Sequence, residues 1–199
     1  MTTRQKRIDS LVDYVAHSCA SAGIKFILKD AATVGDKHTV GFFSADSKEL
    51  VVATKVDKFY QVLAHEAAHL AQWQEGLFDC EDAYESFTDW IRGERSLDAS
   101  TVISNVRLVA ECELDAEKRC VKLLTQFGLL GPIEKKDYIK KANSYVLTHE
   151  IARTKRAWTK IGYSPAETKE IWNLLPSKFI KDVGRVPDDF YGAVLDFCY

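Results

Sequence analysis

Apolar residues recur near the N-terminus at Ile8, Leu11, Val12, Val15 and Ala16, a spacing that gathers them on one face of a helix. The pattern predicts a helix from Thr3 to Ser21 ended by Gly23, because glycine closes helices in the left-handed conformation at little steric cost. The period then shortens. Ile24 to Leu28, Thr39 to Ser44 and Glu49 to Ala53 are short runs rich in β-branched and aromatic residues, with a turn over Ala45–Lys48 between the last two. These runs predict three strands. Gly41 lies inside the second and marks either a close approach of another group or a bulge, the bulge being the expectation.

After Asp57 the pattern turns helical. A helix N-capped by Asp57 should run to about Glu75 and stop at Gly76. A second is expected from Asp79 to Arg92, ending near Gly93, and a third from Leu97 to Phe127, closed by Gly128. Gly131-Pro132 breaks the chain, and Ile133 to about Lys160 forms one long helix or two. Ser164-Pro165-Ala166-Glu167 combines a capping box with a proline in the first turn, so it starts a last helix ending before Pro176. No element is assigned from Ser177 to Tyr199. The expected class is α+β and mostly helical, with a small N-terminal sheet packed on the helix at 57–75 and a helical C-terminal half. At 199 residues one domain over 1–199 is expected. It divides into a helix with a small sheet (1–56), a pair of chemistry-bearing helical stretches (57–127) and a helical remainder (133–199).

One helix departs from the amphipathic rule. From Val62 to Ala71 the chain reads Val-Leu-Ala-His-Glu-Ala-Ala-His-Leu-Ala, apolar all round except for His65, Glu66 and His69. Residues four apart stack on one helix face, so His65 and His69 can direct two imidazole nitrogens to one Zn²⁺ at about 2.0–2.1 Å. Glu66 sits about 100° around the helix, beside a metal rather than on it, where a base can take a proton from an activated water. A solvated surface helix with two histidines is the bland alternative. The apolar flanks oppose it, since three buried polar groups without partners would cost about 1–3 kcal/mol each and a metal removes that cost.

The ten residues from Val62 to Ala71 resemble the extended helix signature of zincin metallopeptidases. Metzincins continue with Gly three residues and His six residues after the second His; Gln72 and Glu75 stand there, which excludes that class. Gluzincins take the third ligand from a Glu on a later helix, followed four residues on by an Asp that braces a zinc histidine. Glu111-Cys112-Glu113-Leu114-Asp115-Ala116 is similar to that motif as found in membrane-bound CAAX-processing proteases, whose membrane spans this chain lacks. The resemblance implies a zinc peptidase with His65, His69 and Glu111 on the metal, Asp115 behind a ligand histidine and Glu66 as general base. Glu113 competes for the third position, as do Glu75, Asp79, Glu81, Asp82, Glu85 and Asp89. Donors for the oxyanion of peptide hydrolysis would come from Tyr145, His149, Arg153 or Tyr163. In the zincins an extended substrate pairs with the sheet edge beside the active helix.

Composition narrows the setting. The net charge of −2 gives no general attraction to nucleic acid or anionic membrane. Lysines and arginines crowd residues 135–160, but sparse aromatic interleaving makes this a solvated helix face rather than a nucleic-acid surface. Five scattered cysteines with no C-x-x-C pair suit free thiols in a reducing compartment. No signal-peptide pattern or run of about 18 apolar residues is present, so a cytoplasmic location is expected. The expected partner is a protein or peptide substrate, with a further protein partner open. The competing class is a non-catalytic zincin-like binding or structural component of a larger assembly. Glu66 favours the enzyme, because a structural site needs ligands but no base.

Overall fold

The computed structural model describes residues 1–35, 39–77, 80–160 and 163–199. The fold is α+β and mostly helical, with a three-stranded sheet near the N-terminus followed by helices. Its residues group into two compact units, 1–77 with 116–131 and 78–115 with 132–199. Among the described residues, no helix is long and apolar enough to cross a membrane.

The first unit opens with α1 (Thr3–Ala22), capped by Thr2, whose hydroxyl accepts the Gln5 N–H at 3.2 Å. Gly23 ends it with φ 71°, as the sequence predicts. Ile8, Leu11, Val15 and Cys19 form its buried stripe. The strands are β1 (Lys25–Lys29), β2 (Gly41–Ser44) and β3 (Glu49–Ala53), in the order β1-β3-β2. β3 runs parallel to β1, with Lys25 opposite Glu49, and antiparallel to β2, with Gly41 opposite Val52. Because β3 is central, Leu50 to Ala53 are all buried, whereas no residue of β1 or β2 is.

The helix bearing the histidines, α2 (Phe59–Gln74), packs against α1, β2 and β3. Neighbours on several sides explain why it is apolar all round: no residue from Val62 to Ala71 is exposed. It stops ahead of Gly76, which takes φ 64°. Its start differs from expectation. The capping position is Lys58 in the left-handed region at φ 53°, with no side-chain cap; Asp57 lies one residue too early to reach the first free amides.

A 28-residue helix, α4 (Ala99–Gln126), contributes to both units. Its last turns belong to the first. Arg119 forks onto Glu75, at 2.7 and 2.8 Å to the two carboxylate oxygens. The Cys120 thiol faces the Gln61 carbonyl at 3.7 Å, and just beyond the helix the Gly128 carbonyl accepts from Arg7 Nη1 at 2.8 Å.

The second unit holds α3 (Glu81–Arg92), the first turns of α4, α5 (Pro132–Lys155), α6 (Lys169–Trp172) and α7 (Asp188–Cys198). Asp98 accepts the Thr101 N–H at 3.0 Å and so caps α4. α5 is one helix, which settles the choice between one and two. Its Leu147 and Ile151 pack with Ile171, Leu175, Phe190, Val194 and Cys198, while Phe87, Val102, Val106 and Ala152 make a second cluster.

One expectation fails in this unit. Ser164 to Glu167 do not open a helix: the Ser164 carbonyl accepts from Glu167 and Thr168 N–H at 3.0 and 3.2 Å, forming a turn. The helix that follows has four residues and starts after Thr168. The C-terminal segment left unassigned contains α7, whose buried Phe190, Val194 and Cys198 recur every four residues.

Asn143 on α5 is fully buried and holds the segment after α6. Its amide nitrogen donates to the Pro176 and Lys178 carbonyls at 3.0 and 2.9 Å, and its oxygen accepts the Ile180 N–H at 3.1 Å. Asn143→Ala strands three backbone groups. We expect a loss of about 2–4 kcal/mol, read as a lower urea midpoint with secondary structure retained.

Candidate metal centre

The site is built on α2. His65 and His69 lie one turn apart, half-buried, with their rings edge to face at 84° and centroids 4.7 Å apart. Their Nε2 atoms approach to 3.1 Å. What the opposite ring nitrogens do decides the chemistry. His69 Nδ1 lies 2.9 Å from the Gln72 side-chain oxygen, which only accepts, so the proton sits on Nδ1. Gln72 is 2 % exposed. His65 Nδ1 lies 3.2 Å from Glu117 Oε1 on α4, at ion-pair distance though off hydrogen-bond alignment. A carboxylate there favours the proton on Nδ1 too.

With the proton on His69 Nδ1, its Nε2 presents a lone pair to His65 Nε2 at 3.1 Å; the same tautomer at His65 sets two lone pairs face to face. Two facing lone pairs repel, and a cation between them turns the repulsion into attraction. Two nitrogens bound at ~2.0–2.1 Å to a tetrahedral zinc stand about 3.3 Å apart, close to the separation found. His65, His69 and Glu113 form a group that could hold a metal, one ligand atom of each lying within 4.8 Å of the others. Two imidazoles and one carboxylate are a donor set suited to catalytic zinc, with a fourth position left for water.

The acidic residues on α4 stand two positions from where the resemblance puts them. Glu111 is exposed and outside that group, whereas Glu113 is inside it. Glu117, 7 % exposed, stands behind His65 where the resemblance expects Asp115. Glu113 and Glu117 keep the i,i+4 spacing expected of Glu111 and Asp115. Two residues of helix turn a side chain by about 200°, so both members of the pair change together. The signal was present, since two acidic i,i+4 pairs overlap in one segment, but spacing alone does not select between them.

The other described acidic candidates lie outside that group. Glu75 holds Arg119, Asp89 lies 3.8 Å from Arg95, and Glu81, Asp82 and Glu85 are exposed on α3. Asp79 lies outside the described residues. Among the oxyanion candidates, Arg153 is paired with Glu150 and Tyr163 is 55 % exposed. His149 is 3 % exposed, and burial lowers its pKa despite the opposing charge of Glu113. Its Nδ1 faces the Val146 carbonyl at 3.2 Å, which puts the proton on Nδ1 and makes Nε2 an acceptor. Tyr145 packs edge to face on His149 at 5.2 Å. Tyr84, not singled out by the sequence, also feels Glu113, and burial before that charge raises its pKa.

Glu66 is 8 % exposed and points toward β2. A Cβ on Gly41 would stand 2.5 Å from Val62 Cγ1 and 3.3 Å from both Cγ and Oε1 of Glu66. Gly41 thus lets the strand lie against the helix beside Glu66, and the close approach rather than a bulge is its role.

No family model, curated protein or solved structure matches this chain.

Gly41→Ala should cost about 1–3 kcal/mol through overpacking, measured by urea denaturation. The penalty should shrink in a Val62→Ala background, where the tightest contact is gone. An equal penalty in both backgrounds would show that the Gly41–Val62 contact does not set the spacing.

Proposed function

We propose that this protein is a zinc-dependent metallopeptidase of gluzincin-like design, with His65, His69 and Glu113 as ligands and Glu66 as general base. The observation that carries the reading is the approach of the two Nε2 atoms to 3.1 Å in a group with Glu113, with the Gln72 oxygen 2.9 Å behind His69 and the Glu117 carboxylate 3.2 Å behind His65. A zinc ion bound there would supply Lewis-acid polarisation of a carbonyl and acidification of water.

The remaining steps belong to the chain. Gln72 and Glu117 hold the two imidazoles in the tautomer that binds metal. Glu66, on the face turned toward β2, takes the proton of the attacking water and passes it to the leaving amine. The apolar walls of α2 keep that carboxylate out of bulk solvent, which strengthens its interaction with the developing charge. An extended peptide suits the surroundings. Among the described residues β2 is an edge strand of the sheet, the position at which an extended peptide adds as a further strand. Phe43 on β2 and Trp73 on α2 pack at 5.9 Å with their rings tilted by 53°, giving apolar side chains of a peptide an aromatic surface. Five cysteines outside any disulfide suit a reducing compartment such as the cytoplasm.

Glu66→Gln should keep one zinc per chain and the native fold while abolishing cleavage of unfolded protein substrates. Undiminished cleavage by that variant removes Glu66 from the mechanism, and no cleavage by the zinc-loaded wild type favours a binding protein. Elemental analysis separates the α4 candidates. Glu113→Ala should lose zinc, Glu111→Ala should retain it, and Glu117→Gln should weaken binding roughly 10–100-fold.

A further inference from the structure

The second unit contains a thiol pair that the metal chemistry does not use. Cys80, the residue before α3, and Cys112, in the middle of α4, bring their sulfurs to 2.9 Å. A disulfide needs about 2.05 Å, so the sulfurs must close by about 0.9 Å, within the reach of small side-chain rotations. Exposure distinguishes the two. Cys112 is buried and Cys80 is half-buried, while the other three cysteines, Cys19, Cys120 and Cys198, are all buried. Cys80 is therefore the thiol that an external oxidant meets first. Cys112 is also the residue immediately before Glu113 on α4.

We propose that Cys80 and Cys112 are a reversible dithiol–disulfide pair whose closure ties the start of α3 to the turn of α4 that carries Glu113. The oxidant is a low-molecular-weight disulfide. The Cys80 sulfur attacks one of its sulfurs, breaks its S–S bond and releases one thiol. The Cys112 sulfur then attacks the Cys80 sulfur of the mixed disulfide, and the second thiol leaves. The protons of both cysteines end on the two released thiols; the protein loses two electrons and the small disulfide gains them. In a reducing compartment the open form dominates, and a shift in thiol–disulfide poise closes it.

The consequence for the metal rests on the reading of Glu113 as a ligand; the bond itself does not. Closure fixes the turn that precedes Glu113 before any metal arrives. Part of the ordering cost of binding is then met in advance, so affinity rises. The bond also closes a loop spanning Glu81 to Glu111, which restricts the unfolded chain and raises Tm by on the order of 5 °C.

The test uses the full chain incubated with oxidised glutathione or with dithiothreitol. Alkylation under denaturing conditions should show free thiols falling from five to three. Mass spectrometry of the digest should show one peptide joining Cys80 to Cys112, lost again on reduction. Cys80→Ser should keep all four of its thiols. Chelator competition should show zinc bound at least about threefold more tightly by the oxidised wild type, with no change for Cys80→Ser. Absence of the Cys80–Cys112 peptide, or equal thiol loss in Cys80→Ser, overturns the pair. A linked protein with unchanged or weaker zinc affinity overturns its effect on the centre. Failure of the reduced wild type to bind zinc sinks the metal reading and that effect with it, while the thiol count still decides the bond.

Discussion

Polar side chains inside an apolar helix set the terms for the first unit. α2 buries Glu66 and Gln72 and half-buries His65 and His69, and each must be compensated because water cannot reach it freely. Gln72 serves His69 from three residues further along the same helix, and Glu117 is brought to His65 by α4. On the other side Gly41 gives up its side chain so that β2 can lie against Glu66. Sheet, helix and α4 are thus positioned by the needs of one helical turn, and the bidentate Arg119–Glu75 pair fastens α4 a turn further on.

What the sequence revealed follows the range of the interaction concerned. His65, Glu66 and His69 could be read because helical geometry alone relates them, and the strands could be read because alternation and turns are local. The third member of the His65–His69–Glu113 group could not. Around Glu111 to Glu117 the buried residues Val109, Ala110, Cys112, Leu114, Ala116 and Cys120 lie on nearly every side of α4, so no stripe indicates which carboxylates face inward. Glu117 looked like one more charge in a charged run until α2 was seen to supply its partner. Gln72 served to exclude a peptidase class and yet has a direct task, holding the tautomer of the histidine one turn before it.

The C-terminal region shows the same division in the second unit. Ser164 to Glu167 carry the letters of a capping box, but a side-chain cap works only if a helix follows at once, and the chain makes a turn before its short α6. α7 escaped notice because three buried residues at four-residue spacing are few. Its place depends on the cluster shared with Leu147 and Ile151 of α5. Asn143 is the clearest case of a non-local role: its partners lie 33 to 37 residues away, and nothing near it in the sequence marks it.

The first unit is discontinuous in the chain, and this has a consequence for its synthesis. Glu117 follows His69 by 48 residues. At about 5–20 residues per second, the two histidines leave the ribosome roughly 2–10 s before the carboxylate that stands behind His65. Gln72, by contrast, emerges almost with His69. The nascent chain therefore has one histidine matched to its acceptor early and the other late, and the geometry of the pair is completed only when α4 has been made.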